Sequence, residues 1–477
     1  MEEYFKLKDK KTTVSREVLC GITTFLTMSY ILFVNPAIVS ESGMPAGGIF
    51  VATALAAAFC TILMGLVANT PFAMAPGMGL NTFTTYIICG AMGFHWREAM
   101  GLAFIAGLCH FLIMITGSRR ILVNAIPTHL KMAFGVGLGL FISYIGLKNA
   151  GLLSFTSPPG QHIILDGGTI IANSGTVPAM VGFIGAPQVL ALTGLVIMVA
   201  LLALERKTGD SYAALPVGIV AATFLGVPLG VTDLGGIKFI DLSAVGEISG
   251  VFMSFFGRPG LLSILDDPSK IMISIVLVLT LLLTNIMDSV GTIIGIGRIQ
   301  KAEIFNRRDM ELFREPGRKS RLDKSMMVNS IGGGVSALLG TTTSTTFIES
   351  ITGIVSGGRT GLTAVVAGVM FLICLPLANF FSIVPATAIA PALIVAGSFM
   401  ITLAGRINWK RFEESFPAFV TILGIPIFYG IIYGMAGGII SHIIIQAALG
   451  KWRKVHPALY FIAFLFILIA AARILEG

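Results

Sequence analysis

The chain has 477 residues, of which 55% are hydrophobic and only 12% are charged, and its mean hydropathy is +0.90. Soluble proteins are about a quarter charged, so this composition excludes an ordinary soluble domain and predicts a polytopic membrane protein. The net charge of +8 comes from basic residues in short loops between apolar segments, which is typical of membrane topology and argues against nucleic-acid binding.

The predicted fold is all-α, with about 14 transmembrane segments forming two inverted repeats of seven. A polar tail at 1–19, without the apolar stretch of a secretory signal, precedes the first repeat at 20–240. The second repeat covers 262–450, and a C-terminal hydrophobic helix lies within 451–477. Its apolar part, 457–474, either lies at the membrane surface or forms a fifteenth span.

The individual segments follow from apolar runs interrupted by Gly, Pro and charge. The first seven are predicted at 20–39, 49–69, 81–93, 99–117, 127–150, 187–205 and 212–229. The second seven are predicted at 271–297, 325–340, 348–356, 361–377, 385–404, 416–430 and 433–449.

Loop charges predict the orientation of these segments. If the N-terminus is cytoplasmic, the basic pairs Arg119–Arg120 and Arg206–Lys207 and the long basic loop from Arg298 to Lys324 all fall inside. The almost uncharged stretch 151–187 falls outside. Because each half has an odd number of segments, the second half enters the membrane from the opposite side, as in an inverted repeat.

The third and tenth segments are abnormal in the same way. The third begins NTPFAMAPGMGLNTFTTY and the tenth begins GTTTSTTFIESITG, and each starts with Pro, Gly or β-branched residues that disfavour a helix. Short, broken segments at matching positions of two repeats indicate a substrate site near the membrane midplane, because the freed backbone groups can bind a ligand.

Two carboxylates lie inside apolar segments, Asp288 in the eighth and Glu349 in the tenth. A charged acid near the bilayer centre costs about 2.5–3.5 kcal/mol, so each must face protein, water or a ligand. The alternative for Asp288 is a hydrogen bond that packs two helices together, and for Glu349 a helix cap. Since burial favours the uncharged form of a carboxyl, Asp288 is the expected proton carrier, and Glu349, at a helix start, is the expected permanent anion.

Two further polar residues belong to the predicted site. Asn81 follows the PGMGL turn of the third segment, and its amide offers a donor and an acceptor to a ring edge; the alternative is a cap for its own half-helix. Thr292 comes one turn after Asp288, where a threonine more often bonds back to its own helix.

The chain has no HExxH, Walker loop, GxSxG or paired Cys/His spacing. An enzyme is therefore not expected, and neither is a catalytic residue, a metal site or a cofactor.

Several motifs resemble the purine permeases of the nucleobase:cation symporter-2 family, in the azaguanine-permease-like branch. They are GITTFLTMSYILFVNP in the first segment, PFAMAPGMGLN in the third, DSVGTIIG in the eighth, TSTTFIESITGIVSGGRTGL in the tenth and APALIVAGSFM in the twelfth. Together they extend over nearly the whole chain.

The resemblance implies fourteen helices in two intertwined inverted repeats, with segments 1–4 and 8–11 as a core and 5–7 and 12–14 as a gate. The substrate would lie between short strands of segments three and ten. Asp288 and Glu349 match the family's acids that hold the base, and Asn81 matches its third-segment asparagine. The resemblance also reveals departures: Asn285, Asn329 and Tyr433 stand where relatives commonly have acids, which leaves the coupling stoichiometry open.

The resulting hypothesis is a secondary-active transporter in the cell membrane that imports guanine, hypoxanthine or adenine with a proton by alternating access. Asp288 and Glu349 would accept ring N–H groups and couple the proton. The remaining substrate contacts are expected from the backbone or side chains of Phe72, Ala73, Ala75, Phe347 and Ile348.

The alternatives are a transporter of the same fold for a pyrimidine base or an anion, and an uncoupled channel. Two acids argue against an anion, since they would repel it. Sodium in place of the proton stays open, as does a homodimer. The expected partners are a purine base and membrane lipid, without nucleic acid.

Overall fold

The computed structural model describes most of the chain, and helices dominate it. The described residues are 2–116, 126–156, 162–165, 168–171, 177–181, 185–208, 213–234, 243–297, 304–305, 320–378, 380, 383–428 and 431–476. The predicted cytoplasmic pair Arg119–Arg120 lies outside them, as does most of the predicted basic loop 298–324.

The first half contains nine helices and five strands among the described residues. In chain order they are α1 (Glu2–Phe5), α2 (Val14–Met28), α3 (Ile31–Val39), α4 (Ala46–Leu63), β1 (Met74–Pro76), α5 (Met78–Thr82), α6 (Trp96–Thr116), α7 (Thr128–Asn149), β2 (Leu153–Thr156), β3 (His162–Leu165), β4 (Gly168–Ile171), β5 (Val177–Met180), α8 (Ala186–Thr208) and α9 (Ala214–Leu225). Wider π-helical turns continue α4 over Met64–Ala68 and α5 over Phe83–Ala91.

The second half begins with two short helices and contains one strand among the described residues. Its elements are α10 (Ser243–Gly246), α11 (Ile248–Val251), α12 (Pro268–Gly297), α13 (Arg321–Leu339), β6 (Ser344–Thr346), α14 (Ser350–Val355), α15 (Gly361–Ile373), α16 (Ala386–Met400), α17 (Phe412–Ile427), α18 (Ile431–Ala448) and α19 (Pro457–Glu476).

Six helical stretches of the described chain are long and apolar enough to cross a membrane. They are Val14–Ser42, Ala46–Ala68, Trp96–Thr116, Thr128–Asn149, Ala186–Thr208 and Ala386–Arg406. A bent pair, Ser254–Asp266 with Lys270–Ile286, would make a seventh span, and three shorter apolar helices accompany them. Length and hydropathy thus give fewer spans than the fourteen predicted segments, because several segments are short or interrupted.

The first span starts earlier than the predicted residue 20. Helix α2 begins at Val14, and the hydroxyl of Thr13 accepts the Arg16 N–H as its cap. The charged Glu17 lies fully buried within it, because other segments supply its hydrogen-bond donors. The span then breaks at Ser29–Tyr30, where α2 ends and α3 begins.

Four strands in the predicted outside stretch were not foreseen. β2 pairs with β5 and β3 with β4, both antiparallel. This stretch contains short apolar runs such as HIIL and GTII separated by Gly-, Pro- and Ser-containing stretches, which suits hairpins.

Helices from the two halves of the chain pack against each other in two groups. In one group α2 and α4 pack against α15, and α6 packs against α13; in the other α7 packs against α16 and α17, and α8 against α16. Contact between α6 and α13 is close enough that a Cβ at Gly107 would come within 2.7 Å of the Gly334 Cα. Small residues at such crossings let helix backbones approach, which is typical of membrane bundles.

Candidate functional site

The starts of the third and tenth segments form a buried two-stranded antiparallel ladder, in which Ala75 lies opposite Thr345. The N–H of Phe347 donates to the Ala73 carbonyl at 3.0 Å and extends the ladder toward α14. Proline in one strand and β-branched threonines in the other favour extended backbone here. The ladder therefore joins the two interrupted segments, and a short helix follows each strand.

Glu349 stands at the start of α14, half-buried. It occupies the cap position, and its carboxylate accepts its own backbone N–H but makes no capping bond to the N–H groups of the following turn. Instead, its Oε1 accepts a hydrogen bond of 2.6 Å from the hydroxyl of Tyr30, at the break between α2 and α3. The carboxylate thus joins the tenth segment to the first.

Asp288 lies in α12, half-buried beside the same ladder. Its carboxylate accepts a hydrogen bond from the hydroxyl of Thr345 on β6. Asp288 is also close enough to Glu349 for the two charges to interact. The structure therefore brings the two predicted acids together next to strand β6, while Thr292 lies one turn further along α12, also half-buried.

Asn81 is fully buried on α5. Helix α5 is preceded by Gly77 as its cap residue, so Asn81 does not cap it, contrary to the alternative considered from the sequence. The Asn81 Oδ1 accepts a hydrogen bond from the Thr342 hydroxyl, just before β6. Within the part of the chain that the structure describes, its Nδ2 has no hydrogen-bond partner. One amide donor is thus available beside the ladder.

Some of the backbone groups predicted to contact a ligand already form hydrogen bonds within the protein. The N–H of Ala73 donates to the Ser350 hydroxyl at 3.0 Å, and its carbonyl accepts from Phe347. Ala75 is fully buried in the ladder. The carboxyl and amide side chains consequently offer more hydrogen-bonding capacity to a ligand than the strand backbones do.

The predicted aromatic and aliphatic contacts differ in their exposure. Phe72 is fully buried, and its ring packs edge-on against Phe305 with 5.7 Å between ring centroids. Phe347 is also buried, whereas the Ile348 side chain is 45% exposed. Phe72 therefore serves the packed interior, and Ile348 lies at an open surface.

A polar network missed by the site prediction surrounds Asn329, which is fully buried on α13. Its Oδ1 accepts from the N–H and the hydroxyl of Thr346, and its Nδ2 donates to the Ser289 hydroxyl and to Asn285 Oδ1. Asn285 and Asn329 are two of the positions where the resemblance implies acids, and they are joined here by a hydrogen bond between uncharged amides. The third, Tyr433, lies 37% exposed.

Five of the six hydroxyls in the run 341–346, before and within β6, form hydrogen bonds to side chains of other elements. The pairs are Thr341 with Asn35, Thr342 with Asn81, Ser344 with Ser336, Thr345 with Asp288 and Thr346 with Asn329. These hydrogen bonds hold Asn81, Asp288 and Asn329 around strand β6.

Tyr30 is the second residue that the sequence prediction missed, and it is fully buried. The predicted first segment contains two pairs of adjacent hydroxyl residues, Thr23–Thr24 and Ser29–Tyr30. The second pair was the one feature of the sequence that could have pointed to Tyr30. Hydropathy alone gave no reason to select it.

A bundle of apolar helices that encloses two acids beside paired, interrupted segments defines a multi-pass membrane transport protein rather than an enzyme. Residues 15–437 match the permease family of xanthine/uracil permeases, and the chain belongs to this family. The resemblance recognised from the motifs is thus confirmed.

Individual relatives match over nearly their whole length. The adenine permease AdeP of Escherichia coli K12 is 36% identical over 98% of this chain and 95% of the relative. The guanine/hypoxanthine permeases PbuG and PbuO of Bacillus subtilis are 32% and 34% identical, over 98% and 97% of this chain and 99% and 98% of the relatives.

Solved structures share the fold at low sequence identity. The transmembrane domain of a cyanobacterial bicarbonate transporter, BicA, matches with a TM-score of 0.56 and 14% identity, covering 89% of this chain and 97% of that domain. SLC26A9 matches with a TM-score of 0.60 and 11% identity, covering 92% of this chain and 65% of that protein. These likenesses concern the fold alone.

Proposed function

We propose that this protein imports purine nucleobases by proton symport. The names of its relatives, an adenine permease and two guanine/hypoxanthine permeases, support the substrate class. The observation that carries the proposal is the pair of carboxyl groups, Asp288 and Glu349, held beside the ladder that joins the third and tenth segments.

The chemistry of these side chains suits a purine edge. A purine base presents ring N–H donors next to ring nitrogen or carbonyl acceptors. Glu349 and Asp288 supply acceptors, and the unpartnered Nδ2 of Asn81 supplies a donor. Each carboxylate offers about four acceptor positions, so the single hydroxyl on each leaves room for a ligand.

Coupling follows from the two neighbouring acids. A site with two carboxylates in electrostatic range takes up a proton more readily than a site with one, because two like charges disfavour each other. Asp288 would carry the proton, and Glu349 would stay the anion that holds the base. Transport would proceed by alternating access, with the group of helices that carries both acids moving against the group around α7 and α16.

The membrane arrangement belongs to the same proposal. Fourteen segments in two inverted repeats would place the N-terminus and the basic loops in the cytoplasm and the protein in the cell membrane. Cysteine accessibility on either side of sealed cells would test this arrangement, with Lys8 and Met180 as positions expected inside and outside.

The deciding experiment measures uptake of labelled hypoxanthine by cells that lack their own purine uptake. Unlabelled adenine, guanine, uracil, bicarbonate and sulfate serve as competitors. We expect at least one purine to compete at micromolar concentration while uracil and the anions do not. Absence of labelled hypoxanthine uptake, with uptake of labelled uracil or labelled bicarbonate instead, would replace the purine proposal with the corresponding rival.

Coupling is tested separately in proteoliposomes. An imposed inward proton gradient should accelerate accumulation of the winning purine, and an uncoupler should abolish it; an imposed sodium gradient serves as the comparison. Accumulation driven only by the sodium gradient would show that sodium, and not the proton, is the coupling ion. Uptake that equilibrates without accumulation would indicate an uncoupled channel.

Removal of the acids tests the site. We expect Asp288→Asn and Glu349→Gln each to reduce uptake at least ten-fold at unchanged membrane abundance. Glu41→Gln is the matched control, since Glu41 also accepts a tyrosine hydroxyl, that of Tyr86, at 2.9 Å. Wild-type uptake in both test variants would remove the site assignment.

A further inference from the structure

The hydrogen bond between Tyr30 and Glu349 joins the break between α2 and α3 to the start of α14. Tyr30 follows the last turn of α2, and Glu349 precedes the first turn of α14. The phenol oxygen lies 2.6 Å from Oε1, within the range of a strong hydrogen bond to a charged acceptor. Both residues therefore contribute to one local structure, although 319 positions separate them in the chain.

Close packing of α2 against α14 fixes this geometry. Gly353 on α14 faces α2, and a Cβ there would come within 2.7 Å of the Cys20 carbonyl oxygen. With no side chain at Gly353, the two helices are in backbone contact one turn along α14 from Glu349 and about three turns before Tyr30 on α2. The tyrosine is fully buried, so its ring cannot leave the protein without separating the helices.

The hydrogen bond also restricts the glutamate. A free glutamate side chain has three rotatable bonds, and ordering it on ligand binding costs conformational entropy. A partner that fixes the carboxylate beforehand removes this cost. It also leaves the remaining acceptor positions for a ligand donor.

We propose that Tyr30 is a positioning residue for substrate binding, whose hydroxyl holds the Glu349 carboxylate in the orientation that accepts an N–H of the substrate. This inference rests on the proposed function, which makes Glu349 a substrate contact. Tyr30 itself acts through Glu349, so its removal weakens binding without stopping the transport cycle.

The test compares Tyr30→Phe with the wild type. This variant keeps the ring that fills the interior and removes only the hydroxyl. We expect KM for labelled hypoxanthine to rise about ten-fold, equivalent to about 1.4 kcal/mol, with Vmax per transporter within two-fold of the wild type. Membrane abundance and thermal unfolding of the purified protein are measured alongside uptake.

Tyr86→Phe is the matched control. Tyr86 is also buried, and its hydroxyl donates to Glu41 Oε1 at 2.9 Å, so the same atom is deleted from the same kind of pair away from Glu349. We expect its KM to stay within two-fold of the wild type.

Three outcomes would overturn the proposal for Tyr30. An unchanged KM in Tyr30→Phe would show that the hydroxyl does not position Glu349. A lower KM would show that Tyr30 competes with the substrate. A fall in thermal stability and in Vmax with constant KM would assign the bond to folding only.

Failure of the proposed function gives a different result. The wild type would then take up no labelled purine, and direct uptake of labelled uracil, whose ring also carries N–H groups, replaces hypoxanthine in the same comparison of Tyr30→Phe with Tyr86→Phe. The ratio of KM values therefore decides the Tyr30 proposal for either kind of base, and transport of an anion alone, which has no N–H for Glu349 to accept, would overturn it.

Discussion

Asn329 and Thr346 are joined by two hydrogen bonds to one oxygen atom. The Asn329 Oδ1 accepts from the Thr346 N–H at 2.9 Å and from the Thr346 hydroxyl at 3.0 Å. On its other side, the Asn329 amide donates to Ser289 and Asn285, on the helix that carries Asp288. One buried amide thus ties strand β6, which ends just before Glu349, to helix α12.

We expect Asn329→Ala to destabilise the protein and weaken transport together. Its removal leaves the buried Thr346 N–H without a partner, which costs about 1–3 kcal/mol, and removes one of the links between β6 and α12. Thermal unfolding of the detergent-purified protein and uptake KM are the measurements, and the melting temperature should fall while KM rises several-fold. The exposed Asn408→Ala is the control. Equal melting temperatures in the two variants would contradict this role.

The irregular segments of the fold were predictable from the chain itself. Pro71 and Pro76 interrupt the third segment, and the threonine run interrupts the tenth, because these residues disfavour helix through local sterics. The cost of burying a charge, also a local property, pointed to Asp288 and Glu349. The effect of a residue on its own backbone conformation can be predicted without knowing its neighbours in the fold. The same holds for the free-energy cost of moving its charge out of water.

Partners across the fold were not predictable in the same way. Tyr30 and Glu349 are far apart in sequence, and nothing around Tyr30 indicates that its hydroxyl meets a carboxylate. Glu17 lies outside the predicted first segment, 20–39, yet it is buried with donors from another segment. Such pairs depend on helix packing, which hydropathy does not encode.

Substitution of Glu17 should affect stability and leave substrate binding unchanged. Its carboxylate accepts from the backbone N–H groups of Arg359 and Thr360 and from the hydroxyls of Thr360 and Thr363, at the start of α15. In Glu17→Gln an amide NH₂ faces some of these donors, so we expect a loss of about 1–3 kcal/mol. Membrane abundance and melting temperature should fall at constant KM.

The control for this change is Glu3→Gln, at an exposed position of the N-terminal helix α1. A changed KM in Glu17→Gln at normal abundance would mean that this end of α15 takes part in transport.

The ion pair of Glu98 and Lys270 joins α6 to the start of α12. Both Glu98 oxygens lie 3.1 Å from the Lys270 Nζ, and the Glu98 side chain is 3% exposed against 30% for Lys270. Lys270→Met leaves a buried carboxylate unpaired, and we expect a loss of about 1–3 kcal/mol, since the partly exposed lysine is screened by water.

A second substitution separates the effect of the unpaired charge on stability from the effect of lost packing. Glu98→Gln added to Lys270→Met should recover part of the lost melting temperature, because no unpaired charge then stays buried. Lys8→Met, in the exposed N-terminal tail, is the control. If the double variant were no more stable than Lys270→Met alone, the loss would come from the lysine stem and not from the charge.

The contact between α2 and α14 gives a last prediction, at Gly353. In Gly353→Ala the new Cβ would overlap the Thr24 hydroxyl and lie 2.7 Å from the Cys20 carbonyl oxygen, and the backbone oxygen cannot turn away. We therefore expect α14 to shift from α2 and carry Glu349 away from Tyr30, which raises uptake KM several-fold. Gly405→Ala, where a Cβ meets open space, should behave as the wild type. A normal KM in Gly353→Ala would show that the two helices adjust without moving the carboxylate.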